Sequence, residues 1–185
     1  VGAFAFSAAT SRDAALYDPA VAPGAHSLRV SGTGATGGTV MVELYDATPA
    51  AASTAATPRL INVSVLKNIE AVLTAGFVIG GEGSRTILIR ALGPSLAVFG
   101  AGNLLADPKL ELFSGTTLQQ SNDNWGGTSQ LSAAFAQVGA FPLAATSRDA
   151  ALIATLRSGA ATYTVRVSGA GGTTGIALIE IYEVP

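Results

Sequence analysis

The stretch Tyr163-Thr-Val-Arg-Val-Ser-Gly-Ala-Gly-Gly-Thr-Thr-Gly-Ile-Ala-Leu-Ile-Glu-Ile-Tyr182 sets two runs of β-branched and aliphatic residues on either side of a glycine-rich turn. Alternation in the first run and an almost continuous apolar second run read as strands over 162–168 and 176–182, the second with both of its faces covered. A near copy stands 137 residues earlier: Arg29-Val-Ser-Gly32 returns as Arg166-Val-Ser-Gly169, and Glu43-Leu-Tyr45 as Glu180-Ile-Tyr182. Farther upstream, Val1-Gly-Ala-Phe4 returns as Val138-Gly-Ala-Phe141. Ala9-Thr-Ser-Arg-Asp-Ala-Ala-Leu16 returns as Ala145-Thr-Ser-Arg-Asp-Ala-Ala-Leu152, after a slip of one residue. A fixed period of this kind governs the reading of the whole chain.

The repeat starts in the middle of a unit, because residues 59–137 have no earlier copy. Residues 1–46 read as the C-terminal half of a repeat unit, and 59–185 as one complete unit. Residues 47–58, Ala-Thr-Pro-Ala-Ala-Ala-Ser-Thr-Ala-Ala-Thr-Pro, read as an extended linker or connecting strand, since small residues bounded by prolines have little to bury. Thr48, Pro49, Thr57 and Pro58 are its candidate assembly residues. Within the complete unit, strands are expected over 60–66, 71–79, 86–92, 109–113, 117–121 and 150–156 as well as the two above. The Gly80-Gly-Glu-Gly-Ser84 turn is expected to join a hairpin, Ser114-Gly115 a second, and the glycine-rich turns at 32–38 and 169–175 a hairpin in each copy. Residues 129–137 are the one plausible helix, with Leu131, Ala134 and Phe135 on one side. Short strands at this spacing predict an all-β fold, a β-sandwich or jelly-roll-like repeat with one short helix.

The composition narrows the function classes. Of 185 residues, 49% are hydrophobic and 12% charged, and the mean hydropathy is +0.45, so the chain has the means to fold. Ten basic residues against twelve acidic ones provide no excess for phosphate or anionic lipid, which argues against nucleic acid as a partner. Cysteine is absent, which removes disulfides, thiolate nucleophiles and cysteine metal sites. The most apolar stretches are broken by Gly80-Gly81, Arg90 and Pro94, so no membrane span is expected. The chain opens without an initiator Met or a charged leader and reads as a processed product or a window on something longer.

Residues able to carry chemistry are few. The single histidine, His26, lies where the complete unit has Tyr163, so a catalytic triad or multi-histidine metal site would rest on a residue its own repeat lacks; it reads as a surface or edge histidine. Gly32-Thr-Gly-Ala-Thr-Gly37 fits G-x-G-x-x-G, but the strand-like run over 39–45 follows it where a dinucleotide site needs a helix. Oxygen ligands are densest among Asp107, Glu111, Asn122, Asp123, Asn124 and Asp149. Asp107, Asn122, Asp123 and Asn124 are weak calcium candidates, although the Asx residues fit a turn bonding its own backbone equally well. No carboxylate pair is marked out for glycoside hydrolysis. Trp125, beside Gly126-Gly127, fits either a sugar-stacking platform or partner anchor, or a plug over one end of the sandwich. The repeated Arg12-Asp13 and Arg148-Asp149 read as structural ion pairs or turn caps.

Several runs together carry a resemblance: Pro58-Arg-Leu-Ile-Asn-Val-Ser64, Ala75-Gly-Phe-Val-Ile-Gly80, Thr86-Ile-Leu-Ile-Arg-Ala-Leu-Gly-Pro-Ser-Leu96, Asp107-Pro-Lys-Leu-Glu-Leu112, Ser121-Asn-Asp-Asn-Trp125 and Tyr163-Thr-Val-Arg-Val-Ser-Gly169. As a set they resemble a tandem β-sandwich repeat of large secreted proteins of Verrucomicrobia and related environmental bacteria. The second half is more weakly similar to bacterial pre-peptidase C-terminal domains. The resemblance implies an exported, non-catalytic repeat at the cell surface and supplies no catalytic residues. The expectation is a structural subunit of an extracellular filament or stalk, assembled head-to-tail with identical or homologous units by strand complementation, with no enzyme activity and no cofactor beyond a weak case for calcium. The rival expectation is a secreted module that binds carbohydrate or a cell-surface partner through Trp125.

Overall fold

The computed structural model describes residues 3–54, 56–159 and 162–185; Val1 and Gly2 of the first repeat motif and Ala55 of the linker lie outside the described residues. The chain divides into two units, Val1–Leu60 and Ile61–Pro185.

In the second unit, eight strands form two four-stranded antiparallel sheets. They are β1 (Asn62–Ile69), β2 (Val72–Phe77), β3 (Ser84–Leu92), β4 (Pro108–Ser114), β5 (Thr117–Asn122), β6 (Ala150–Arg157), β7 (Tyr163–Gly169) and β8 (Gly175–Val184). One sheet has the order β1-β8-β3-β6, the other β2-β7-β4-β5. The pairs β1–β8, β2–β7, β3–β6 and β4–β5 are therefore nested. A long antiparallel ribbon with β4–β5 at its tip is rolled into two sheets, which is jelly-roll topology.

Alternation places the side chains. Ile87, Ile89 and Ala91 of β3 and Ala177 and Ile179 of β8 meet Leu110 and Leu112 of β4 and Val165 and Val167 of β7 between the sheets. The opposite faces of β3 and β8 are also covered. Leu88, Leu92 and Leu178 pack under α1 (Ser129–Gln137), Leu96 and Trp125, so these strands read as continuous apolar runs. Thr128 caps α1 by accepting from the Leu131 amide, and Leu131, Ala134 and Phe135 are its buried side chains.

Two of the expected hairpins of this unit are absent. The turn at 80–84 leads from β2 in one sheet to β3 in the other, and the turn after Gly169 leads from β7 across to β8. Only β4 and β5 pair with the strand next in sequence, with a bulge between Leu112 and Phe113. Alternation shows which face of a strand is buried but says nothing about which sheet the strand joins, and hairpins were inferred from turn chemistry alone.

The first unit is built differently. Its described residues hold two short 3₁₀ turns, Thr33–Ala35 and Ala50–Ala52, and no strand, so the strand expected over 39–45 does not form. Neither does a connecting strand within 47–58 or a hairpin around 32–38. Local turns take their place.

Candidate functional site

Polar groups gather inside the second unit along one seam, where the part without an earlier copy (59–137) meets the part with one (138–185). We call these the front and back parts. All strand pairing of the back part crosses this seam: β6 pairs with β3, β7 with β2 and β4, and β8 with β1 and β3. No pair joins β6, β7 and β8 to one another.

Arg90, two residues before the end of β3, is wholly buried on the helix-covered face. Its Nε and Nη2 donate to Glu180 Oε2 at 2.8 and 2.6 Å, and its Nη1 donates to the Phe141 carbonyl at 2.6 Å. The guanidinium lies 4.9 Å from the Phe135 ring centre and 4.5 Å from that of Phe141. A buried arginine needs this full set, since an unpaired charge would be strongly destabilising. Tyr182 Oη donates to Glu180 Oε1 at 2.8 Å. Burial, followed by that bond and the glutamate charge, pushes the tyrosine up to about 12.

Asp149, also wholly buried, fixes the turn after β3. Its carboxylate accepts from the Gly93 amide at 2.7 Å and the Ser95 amide at 3.3 Å, and from the hydroxyls of Ser95 and Ser147. Further bonds cross the same seam. The Trp125 amide donates to the Asp149 carbonyl and its Nε1 to the Ala144 carbonyl, both at 2.9 Å. Asn122 Oδ1 accepts from the Ala151 amide at 3.0 Å, and Arg148 pairs with Asp107 at 3.1 Å.

Of the sequence candidates, Asp107, Asn122 and Trp125 lie at this seam without forming the sites considered for them. Asp107 faces Arg148, and its second oxygen is buried without a partner. Asn122 is committed to Ala151 and, through Nδ2, to the Asn124 carbonyl, while Asp123 and Asn124 are exposed. Among the described residues no three His, Cys, Asp or Glu side chains gather as a metal site. The Trp125 indole is 4% exposed and packs on Phe135, so it offers no open face to a sugar ring. Exposed His26 donates from Nε2 to the Ala22 carbonyl at 2.7 Å. Thr48, Pro49 and Pro58 are exposed and Thr57 half-buried; the Thr48 amide bonds Asp46, lowering that carboxyl below its usual range, and Thr57 bonds Thr54. Two apolar clefts of about 250 and 390 Å³, at Trp125–Leu143 and at Leu66–Phe99, carry no titratable side chain.

Arg90, Glu180 and Ser95 were not among the sequence candidates. A signal for the pair was present: Arg90 interrupts the apolar run 87–92 and Glu180 the apolar run 176–181, and Glu180 has its repeat counterpart in Glu43.

The first unit carries a second set of back-part residues: Phe4, Ser11, Asp13, Glu43 and Tyr45 match Phe141, Ser147, Asp149, Glu180 and Tyr182. Bonds between near neighbours recur. Tyr45 Oη donates to Glu43 at 3.1 Å, and Ser11 Oγ donates to Asp13. Thr36 Oγ1 donates to the Thr33 carbonyl at 3.0 Å as Thr173 does to Ala170 at 3.1 Å, each beside a left-handed glycine, Gly34 at φ 66° and Gly171 at φ 64°. Leu16, Leu28, Val30 and Val42 are 88, 61, 52 and 52% exposed, where Leu152, Val165, Val167 and Ile179 are at most 6% exposed.

No helix among the described residues is long and apolar enough to cross a membrane. No family model matches the chain, and neither a curated protein nor a solved structure matches it.

Proposed function

We propose that the chain is a non-catalytic structural repeat segment of an extracellular bacterial filament or surface stalk, in which back-part strands complete sandwiches begun by the front part of a neighbouring unit. One observation carries this reading: β6, β7 and β8 pair only with front-part strands, and a second set of their sequence lies at residues 14–46 with its apolar residues exposed. Exposed apolar strand sequence of this kind favours pairing with another chain segment.

The strand count narrows the partner. These residues contain one front part and two back parts, and the front part is already closed by its own β6–β8. On this reading residues 14–46 pair with the front part of a further repeat, as β6–β8 pair with β1–β4 in the second unit. Asn62 of β1 lies opposite Tyr182 of β8, so the chain joins and leaves each sandwich at one end, and residues 47–58 set the spacing between units.

Immunogold labelling of intact source cells with antibody to residues 61–185 tests the reading. Label is expected at regular intervals along surface appendages; label confined to the cell interior overturns it. Deletion of residues 47–58 is expected to abolish regular assembly, and unchanged filaments would remove the linker from the assignment. The carbohydrate-binding alternative draws no support from buried Trp125.

A further inference from the structure

We infer that residues 3–46 form the receiving half of an arginine-locked interface. Its partner is the front part of another repeat carrying a strand and turn of the form Ile-Arg-Ala-Leu-Gly-Pro-Ser, as at residues 89–95. The inference rests on the complementation reading above and names the groups that give it specificity.

In the second unit, the arginine site is assembled from both sides of the seam. The front part supplies Arg90 and the Phe135 ring. The back part supplies the Glu180 carboxylate, the Phe141 ring and carbonyl, and the Tyr182 hydroxyl that orients Glu180. The first unit repeats every back-part contribution as Glu43, Phe4 and Tyr45, with the Tyr45–Glu43 bond already made. It contains no counterpart of residues 59–137, and hence none of Arg90. The turn contact is divided in the same way. Asp13 and Ser11 reproduce the Asp149–Ser147 pair, while the Gly93 and Ser95 groups that Asp149 binds belong to the front part. Two carboxylates thus stand ready for one guanidinium and one pair of turn amides, and a single strand-turn segment presents both. A guanidinium that donates twice to one carboxylate oxygen and lies within 5 Å of two aromatic ring centres is more demanding than apolar burial, so the arginine selects partner and register together.

The test uses the full chain, extended by a copy of residues 59–137 ahead of Val1, with hydrogen exchange as readout. In the parent chain, amides over 28–45 are expected to exchange freely. In the extended chain they slow by about a hundredfold or more, while those of β7 and β8 serve as the internal reference. Glu43→Leu is expected to reverse most of that gain, because it leaves the added arginine buried and unpaired. Replacing that arginine with Met in the Glu43→Leu background is expected to restore protection, since an apolar pair of similar volume fits the same space. Protection that appears and survives Glu43→Leu unchanged overturns the arginine lock while the complementation reading stands. Loss in Glu43→Leu without recovery in the double variant also overturns the lock. No protection in the extended chain overturns both.

Discussion

Asp13 and Asp149 hold matching places in two copies of one sequence, each bonded to the serine two residues before it, yet Asp149 is buried and Asp13 exposed. The same contrast holds for Glu43 and Glu180, each bonded to its tyrosine, and for the turns at Gly34 and Gly171. Contacts reaching two or three residues along the chain form in both copies, because closing so short a loop costs little entropy. In the second unit, bonds to the front part bury Asp149 and Glu180. Strands β6, β7 and β8 lie at partner separations such as Asn62 to Tyr182 and have no partners among themselves. The seam divides three of the four nested pairs, β1–β8, β2–β7 and β3–β6, so the back part by itself has turns and no sheet.

Substitution at matched positions sharpens this contrast, with urea unfolding of the 185-residue chain as the measure. The largest difference is expected for Glu180→Leu, which strands buried Arg90 and costs about 3–5 kcal/mol. Glu43→Leu changes the unfolding free energy by less than about 0.5 kcal/mol. Asp149→Ala removes the acceptor for two amides and two hydroxyls and is expected to cost about 3 kcal/mol, against almost nothing for Asp13→Ala. Equal costs at Asp13 and Asp149 would break the comparison, because the first copy would then be folded against a partner.

Gly175→Ala comes next. A Cβ there would lie 2.6 Å from the Leu104 carbonyl carbon and the Leu105 nitrogen, on a backbone at φ +151°, and about 1–3 kcal/mol is expected. At Gly38, its repeat counterpart, a Cβ would meet nothing within 4 Å, and the midpoint should hold.

The smallest effect concerns pH. Tyr182 rises from the ordinary 10.0 to about 12 on folding, so the folded state holds its proton more tightly than the unfolded chain. Its contribution is complete below pH 10 and is lost as pH rises through about 12. Unfolding midpoints followed over that window should fall less steeply in Tyr182→Phe than in the parent; parallel slopes would remove Tyr182 from the account.

Much of the second unit was legible in its residues. The helix over 129–137, with Leu131, Ala134 and Phe135 inward, and the two covered faces of β8 follow from apolar spacing. The Ser114-Gly115 hairpin follows from turn chemistry. Repeat matching separated residues 1–46 from 59–185 because identity between segments needs no structure to be seen. The seam was not legible, because Arg90 and Glu180 are 90 residues apart and Gly93 and Asp149 are 56 apart, and topology alone brings them together. Trp125 and Asn122 were singled out for their chemistry, but their chemistry is consumed by Ala144 and Ala151.

The sequence by itself determined the periodicities, the turns and the repeat, since each is a property of neighbouring residues or of identity. Tertiary structure alone decided which strand lies beside which, and therefore which copy of Glu-x-Tyr and of Ser-x-Asp is buried. A strand's faces are written in its own alternation, whereas its hydrogen-bonding edges are filled by whichever chain segment the topology delivers.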